Sequence, residues 1–138
     1  EMRPYNVEWE SITWETCTLR QYLNGEFYNS FRDNEKAMIA ETRNVNTDNP
    51  GYGTEGGNDT IDRVFLLSIN EANGYFKNDH DRAASYGGSP DWWWLRSPGR
   101  DGDDAAFVFS YGGVNDDGNL AYDGAVGVRP ALWVNLSS

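Results

Sequence analysis

Few groups in this chain of 138 residues could do chemistry: one thiol, one imidazole and two runs of carboxylates. A nucleophilic Cys17 would need a neighbouring base, and the single histidine, His80, stands in the polar run Lys77-Asn78-Asp79-His80-Asp81, where it reads as a solvated loop residue. Cys17 lies between Thr16 and Thr18 at the head of an apolar periodic stretch and reads as a small buried side chain. A single cysteine also excludes an internal disulfide and any multi-cysteine zinc site. Asp101, Asp103 and Asp104, and the run Asn115-Asp116-Asp117, offer oxygens for calcium or an acid/base pair, but neither group has EF-hand spacing. Nothing in the sequence marks a raised carboxyl pKa or a substrate cleft. Asp-rich loops are ordinarily solvated, so the expectation is a protein without catalytic residues, bound metal or cofactor.

The elements that must position these groups fall into three zones. Thr18-Leu19-Arg20-Gln21 fits a capping box, and Leu19, Tyr22, Leu23 and Phe27 recur at helical spacing until Asn24-Gly25 offers a stop or a kink. Val64-Phe65-Leu66-Leu67 predicts a short strand, and Ser68-Ile69-Asn70-Glu71 caps a helix carrying Ala72, Tyr75 and Phe76. Residues 44–59, with Asn49-Pro50-Gly51, predict a surface loop, and residues 77–91 a second one. Trp92, Trp93 and Trp94 then read as a core strand, with Trp92 and Trp94 on one side and Trp93 on the other.

Composition bounds the partners. Aromatic residues make up 14% of the chain while mean hydropathy is -0.72, which calls for an aromatic core under a very polar surface. The formal charge of -11 repels a phosphate backbone, so nucleic acid is not an expected partner. Apolar runs such as Val64–Leu67 are too short to cross a bilayer, and no secretory h-region opens the chain. The length fits one domain over residues 1–138. The start at Glu1 rather than Met suggests the C-terminal part of a longer protein.

The third zone, from Trp92 onward, carries a repeat. Val108, Val114, Leu120 and Val126 are spaced by six, and Gly112, Gly118 and Gly124 follow the first three by four. Apolar anchors alternating with turn glycines predict short strands and tight turns, with Val108 inside and Phe107 and Phe109 on the opposite, outer face. Glu, Lys, Gln, Met and Trp supply 20 of the 138 residues yet none of the 32 from Ser97 to Val128, which hold six aspartates and one arginine. These missing types are the ones that no codon ending in C or T encodes. Asn codons whose two adenines are freely replaced would leave this absence.

Trp93-Trp94-Leu95-Arg96-Ser97-Pro98-Gly99, then Ala105-Ala106, then Gly127-Val128-Arg129-Pro130-Ala131-Leu132, resembles the variable region of the target proteins of diversity-generating retroelements. The wider chain, roughly residues 14–132, resembles a bacterial domain family of unassigned function that shares this signature. The resemblance implies an α+β, C-type lectin-like fold: two helices packed on small antiparallel sheets, with a long, irregular, loop-rich C-terminal β region. It also implies a ligand-binding display domain whose variable region, about 97–128, is rewritten by mutagenic reverse transcription. Scaffold positions carried over include Trp94, Arg96, Pro98, Gly99, Val108, Gly127, Arg129 and Pro130. The diversified, ligand-facing positions are Arg100, Asp101, Asp103, Asp104, Phe107, Phe109, Ser110, Tyr111, Asn115, Asp116, Asp117, Asn119, Ala121, Tyr122 and Asp123, with Trp93 at the edge of the site. Their aromatic, Asp and Asn content has the character of a paratope.

The implied partner is a protein or other surface ligand, with the domain at a cell surface, secreted or on a phage. The alternative is a non-diversified carbohydrate-binding or adhesion module of the same fold. The Glu-Pro-Asn, Gln-Pro-Asp and Trp-Asn-Asp tripeptides of calcium-dependent lectins are absent here, as are the C-terminal cysteines of the related formylglycine-generating enzymes. Arg96 and Arg129 are expected to be partly buried loop anchors.

Overall fold

A computed structural model describes residues 1–136, and its first helix, α1 (Thr18–Tyr22), lies where the apolar spacing predicts. The cap differs by one residue. Cys17 is the extended N-cap residue, its Sγ accepting from the Arg20 amide at 3.4 Å, while the Thr18 hydroxyl accepts from the Val7 amide. Thr18 is already helical and so cannot fill the cap position. Asn24-Gly25 does not end the helix. The chain widens into a π-helical turn over Leu23–Phe27, and the Asn24 carboxamide binds the Val64 carbonyl and the Arg63 and Val64 amides. A further short helix, α2, spans Asp33–Lys36.

The expected strand at Val64–Leu67 is corrected. These residues are largely buried, but only Phe65 makes a bridge, to Ala131; the paired strands lie at β1 (Thr42–Asn44) and β2 (Thr60–Asp62). An apolar run reports burial and does not by itself specify a ladder. Helix α3 (Ile69–Tyr75) carries the predicted capping box: Ser68 accepts from the Glu71 amide, and Glu71 accepts from the Ser68 amide. The second predicted loop also holds structure, a short helix α4 (Asp79–Arg82) capped by Asn78 and a hairpin of β3 (Ala84–Tyr86) and β4 (Ser89–Asp91).

The main sheet is antiparallel, β5 (Trp93–Pro98), β6 (Asp104–Val108) and β7 (Val114–Leu120), with β6 in the centre. Side-chain alternation sends Trp94, Ala105 and Phe107 to one face, against Tyr5, Trp14, Leu19, Leu23 and Leu66, and sends Trp93, Leu95, Ala106 and Val108 to the other, against Ile69 and Ala72. Both faces are therefore core. The expectation that Phe107 lies outside is corrected: its alternation with Val108 is as predicted, but the N-terminal segment and α1 cover its face.

The six-residue repeat does not map onto successive turns. Val108 and Val126 are buried, Val114 is half-buried and Leu120 is exposed. Phe107 pairs with Asn115 but Ala105 with Asn119, so β7 carries extra residues opposite Ala106 and bulges there. Gly118, at φ +84°, sits in that bulge where a Cβ would meet the Ala105 carbonyl, and Gly112, at φ +96°, closes the β6–β7 turn against Asp79.

Among the described residues the architecture is thus a small α+β domain of short helices and several small antiparallel sheets. No helix among them is long and apolar enough to cross a membrane.

Candidate functional site

The β6–β7 hairpin and the segments leading into it carry the candidate positions, and buried polar groups hold that region in place. Asn49, 2% exposed inside the 44–59 loop, donates to the carbonyls of Pro98, Gly99 and Asp116 and accepts from the Gly51 and Tyr52 amides. Two loops and the β7 bulge are thereby fixed to one carboxamide. Arg96 is more deeply buried than expected and uses its whole guanidinium: Nη1 and Nη2 meet the Glu71 carboxylate, and the remaining donors reach Leu66 O, Val45 O and Asn46 Oδ1. Burial raises the Glu71 carboxyl pKa, but the Arg96 hydrogen bond and charge outweigh it, so the net shift is downward.

The hairpin sorts the candidate residues into three neighbourhoods. At the β6–β7 turn, Trp92 stacks on Phe107 at 4.5 Å, Phe107 meets Phe109 edge-on at 4.9 Å, and Phe109 stacks on Tyr111 at 5.3 Å. Exposure rises along this ladder from buried Phe107 through half-buried Phe109 to exposed Tyr111, with Ser110 half-buried between the last two. At the opposite end, the Trp9 ring stacks on Tyr122 and its indole N–H donates to Asp103 Oδ2 at 2.9 Å. Here the Asp101 amide donates to Asp104, whose carboxyl is raised by burial and by the neighbouring Asp103 and Asp101 charges.

The third neighbourhood lies along the β7 bulge. The Arg100 amide donates to the Asp117 carbonyl, the Tyr52 hydroxyl donates to the Asp117 carboxylate, and Thr54 caps the Arg100 carbonyl. Asp116 is half-buried beside Gly51. Asn115 accepts from the Gly118 amide, and Asn119 donates to Asp123.

The positions therefore line one hairpin from end to end, and two of them face inward. Phe107 and Ala121 are buried, 2% and 1% exposed, and are corrected from ligand-facing to core. The physical reason is shared: both pack into the cluster built by Tyr5, Trp14 and Trp94. Trp93 is also corrected. It is 2% exposed on the other sheet face, so Trp92, 37% exposed and stacked on Phe107, is the tryptophan at the hairpin's edge.

Trp9, Tyr52 and Asn49 join the site from segments that look unremarkable in the sequence. An exposed tryptophan in a polar N-terminal run gives no periodic signal, and its partner Asp103 lies 94 residues away. Chemically, the arrangement offers aromatic faces and carboxylate acceptors. Among the described residues no three His, Cys, Asp or Glu side chains converge as metal ligands. Burial pushes the Cys17 thiol up to about 12, and a fully buried thiol at that value is no nucleophile.

Comparison with curated proteins finds no match, and neither does comparison with solved structures. Over residues 1–136, however, the sequence matches one family along almost its whole length, and the chain belongs to it: Domain of unknown function (DUF6273).

Proposed function

We propose that this chain is a ligand-binding display domain of C-type lectin-like fold whose β6–β7 region is diversified by a retroelement, and that it recognises a protein or other surface ligand. The observation that carries the reading is the 32-residue stretch from Ser97 to Val128, which lacks every residue type that a codon ending in C or T cannot encode and is bracketed by the Trp94–Gly99 and Gly127–Leu132 signatures. The burial of part of each group supports it. Trp94, Arg96, Gly99, Val108 and Gly127 are buried, whereas Arg100, Asp101, Tyr111, Asp117 and Tyr122 are exposed. A scaffold can tolerate rewriting only where side chains do not pack.

Interfaces of paratope type use rigid aromatics for contact area and short polar side chains for adaptable hydrogen bonds. Tyr111 at the turn end and Tyr122 beside Asp103 at the other, with Asp117 and Asn119 on β7 between them, supply that mixture. Amplicon sequencing of this gene across a population of the host tests the reading. Substitutions concentrated in the codons of the exposed positions, with Arg96, Gly99 and Gly127 fixed, are the expected result; a uniform or invariant pattern overturns it.

A non-diversified carbohydrate module is the second reading, favoured by the exposed, stacked Trp9–Tyr122 pair. Saccharide binding on a glycan array that is lost in a Trp9→Ala variant would favour it over the first.

A further inference from the structure

The two signature arginines differ in how their donors are used. All five N–H groups of Arg96 have acceptors, including both Glu71 oxygens. Arg129 makes one hydrogen bond, from Nη1 to the Arg82 carbonyl at 3.1 Å, and among the described residues it meets no carboxylate within ion-pair distance. Its guanidinium instead lies over two rings, 4.8 Å from Trp93 and 4.9 Å from Phe76. It is half-buried, and desolvation holds its pKa down with no opposing charge to restore it. A cation held in place by two aromatic faces, with most of its planar fork open, is positioned to receive an anion.

Arg129 lines a pocket of about 200 Å³ between the β3–β4 hairpin and the start of β5, with Trp92, Trp93 and Tyr86 among its walls and the Gly127 backbone beside them. Asp91 lines the same pocket and likewise has no cationic partner among the described residues. No buried side-chain N or O atom among the described residues lacks a hydrogen-bond partner, so the unused Arg129 donors have access to solvent. The pocket thus presents the Arg129 cation, the Asp91 carboxylate and aromatic walls; Glu1 also lines it, with its carboxylate already paired to Arg3. Its volume is below the several hundred Å³ of pockets that hold drug-sized ligands.

We infer that this pocket binds a small zwitterion of the α-amino-acid class, its carboxylate on Arg129, its ammonium toward Asp91 and its side chain against Trp92 and Tyr86. None of the diversified positions lines the pocket, although its wall residue Trp92 stacks on Phe107, and the pocket's chemistry does not rest on the proposed function. Tyr86 and the hairpin that carries it set the size of side chain admitted, and the planar guanidinium suits bidentate contact with a carboxylate.

Titration calorimetry of the intact domain against each of the twenty L-amino acids tests the inference, with tryptamine and indole-3-propionate as the aromatic probes lacking carboxylate and ammonium respectively. Saturable binding of one or more amino acids is expected, weakened about tenfold or more in Arg129→Lys and Asp91→Asn and in the two truncated probes. Asp91→Asn guards against misfolding, because Asp91 lies at the end of a peripheral hairpin strand, so its fold is expected to survive even if Arg129→Lys does not. Absence of heat for all twenty at millimolar concentration overturns the site. Binding that Asp91→Asn leaves unchanged, or that tryptamine and indole-3-propionate match, overturns the zwitterion assignment.

Discussion

Arg96 closes on Glu71 with Nη1 at 2.5 Å from Oε1 and Nη2 at 3.1 Å from Oε2, fastening the middle of β5 to the first turn of α3. The same Glu71 oxygen that meets Nη1 also accepts from the Ser68 amide, so one carboxylate serves a cap and an ion pair together.

Removing one partner of that pair is predicted to be severe. Arg96 is 3% exposed, and Arg96→Ala leaves Glu71 without its counter-ion and the Leu66 and Val45 carbonyls without the Arg96 donors, at a cost of about 3–5 kcal/mol. Urea unfolding measures it. Arg96→Lys is expected to recover only a part, because a single ammonium cannot occupy five acceptors.

Acid is predicted to unfold the domain through two carboxylates. Asp62, 1% exposed, is raised by burial but lowered more by hydrogen bonds from Trp14, Thr60, Asn44 and Arg20, so its net shift is downward, as is that of Glu71. A depressed native pKa contributes stability that is fully present above the unfolded value, about 4 for these groups, and is lost as pH falls through the native value. Urea midpoints should stay level from neutral down to about pH 5 and fall below it. In Asp62→Asn the acid slope should be shallower, on a lower plateau.

The Cys17 thiol should resist alkylation by iodoacetamide at pH 8 in the folded protein and react on denaturation. Complete burial and a pKa of about 12 leave almost no thiolate to attack. Rapid native labelling would show that the helix α1 cap opens readily.

Gly112 and Gly74 should respond oppositely to alanine. A Cβ on Gly112 would stand 1.6 Å from the Asp79 carbonyl oxygen at a φ of +96°, so Gly112→Ala is expected to cost several kcal/mol, at least ~3 when the left-handed penalty and the clash are combined. Gly74, in α3, meets nothing within 4 Å, and Gly74→Ala should stabilise by about 0.5–1 kcal/mol. Thermal unfolding of the two variants checks both signs.

The sequence is most legible where one residue acts on its neighbours. The Ser68–Glu71 cap, the α1 face of Leu19 and Leu23 and the opposite facing of Trp93 and Trp94 all depend on short spacings. Position within the sheet was not legible. Whether Phe107 faces water depends on β6 being central and on Tyr5 and Trp14 covering it from about a hundred residues away. The β7 bulge likewise hid in a regular six-residue spacing, because the extra residues opposite Ala106 shift register without changing the count. The Trp9–Asp103 and Tyr52–Asp117 contacts are also long-range, and neither partner carries a pattern that points to the other.

The DNA flanking the coding segment tests the proposed diversification most directly. The expected result is an imperfect template repeat of the codons for residues 97–128, differing from the gene at template adenines and carrying Asn codons at exposed positions such as Asp101, Tyr111, Asp117 and Tyr122, with a reverse transcriptase gene nearby. A flank with neither a template repeat nor a reverse transcriptase gene would contradict it.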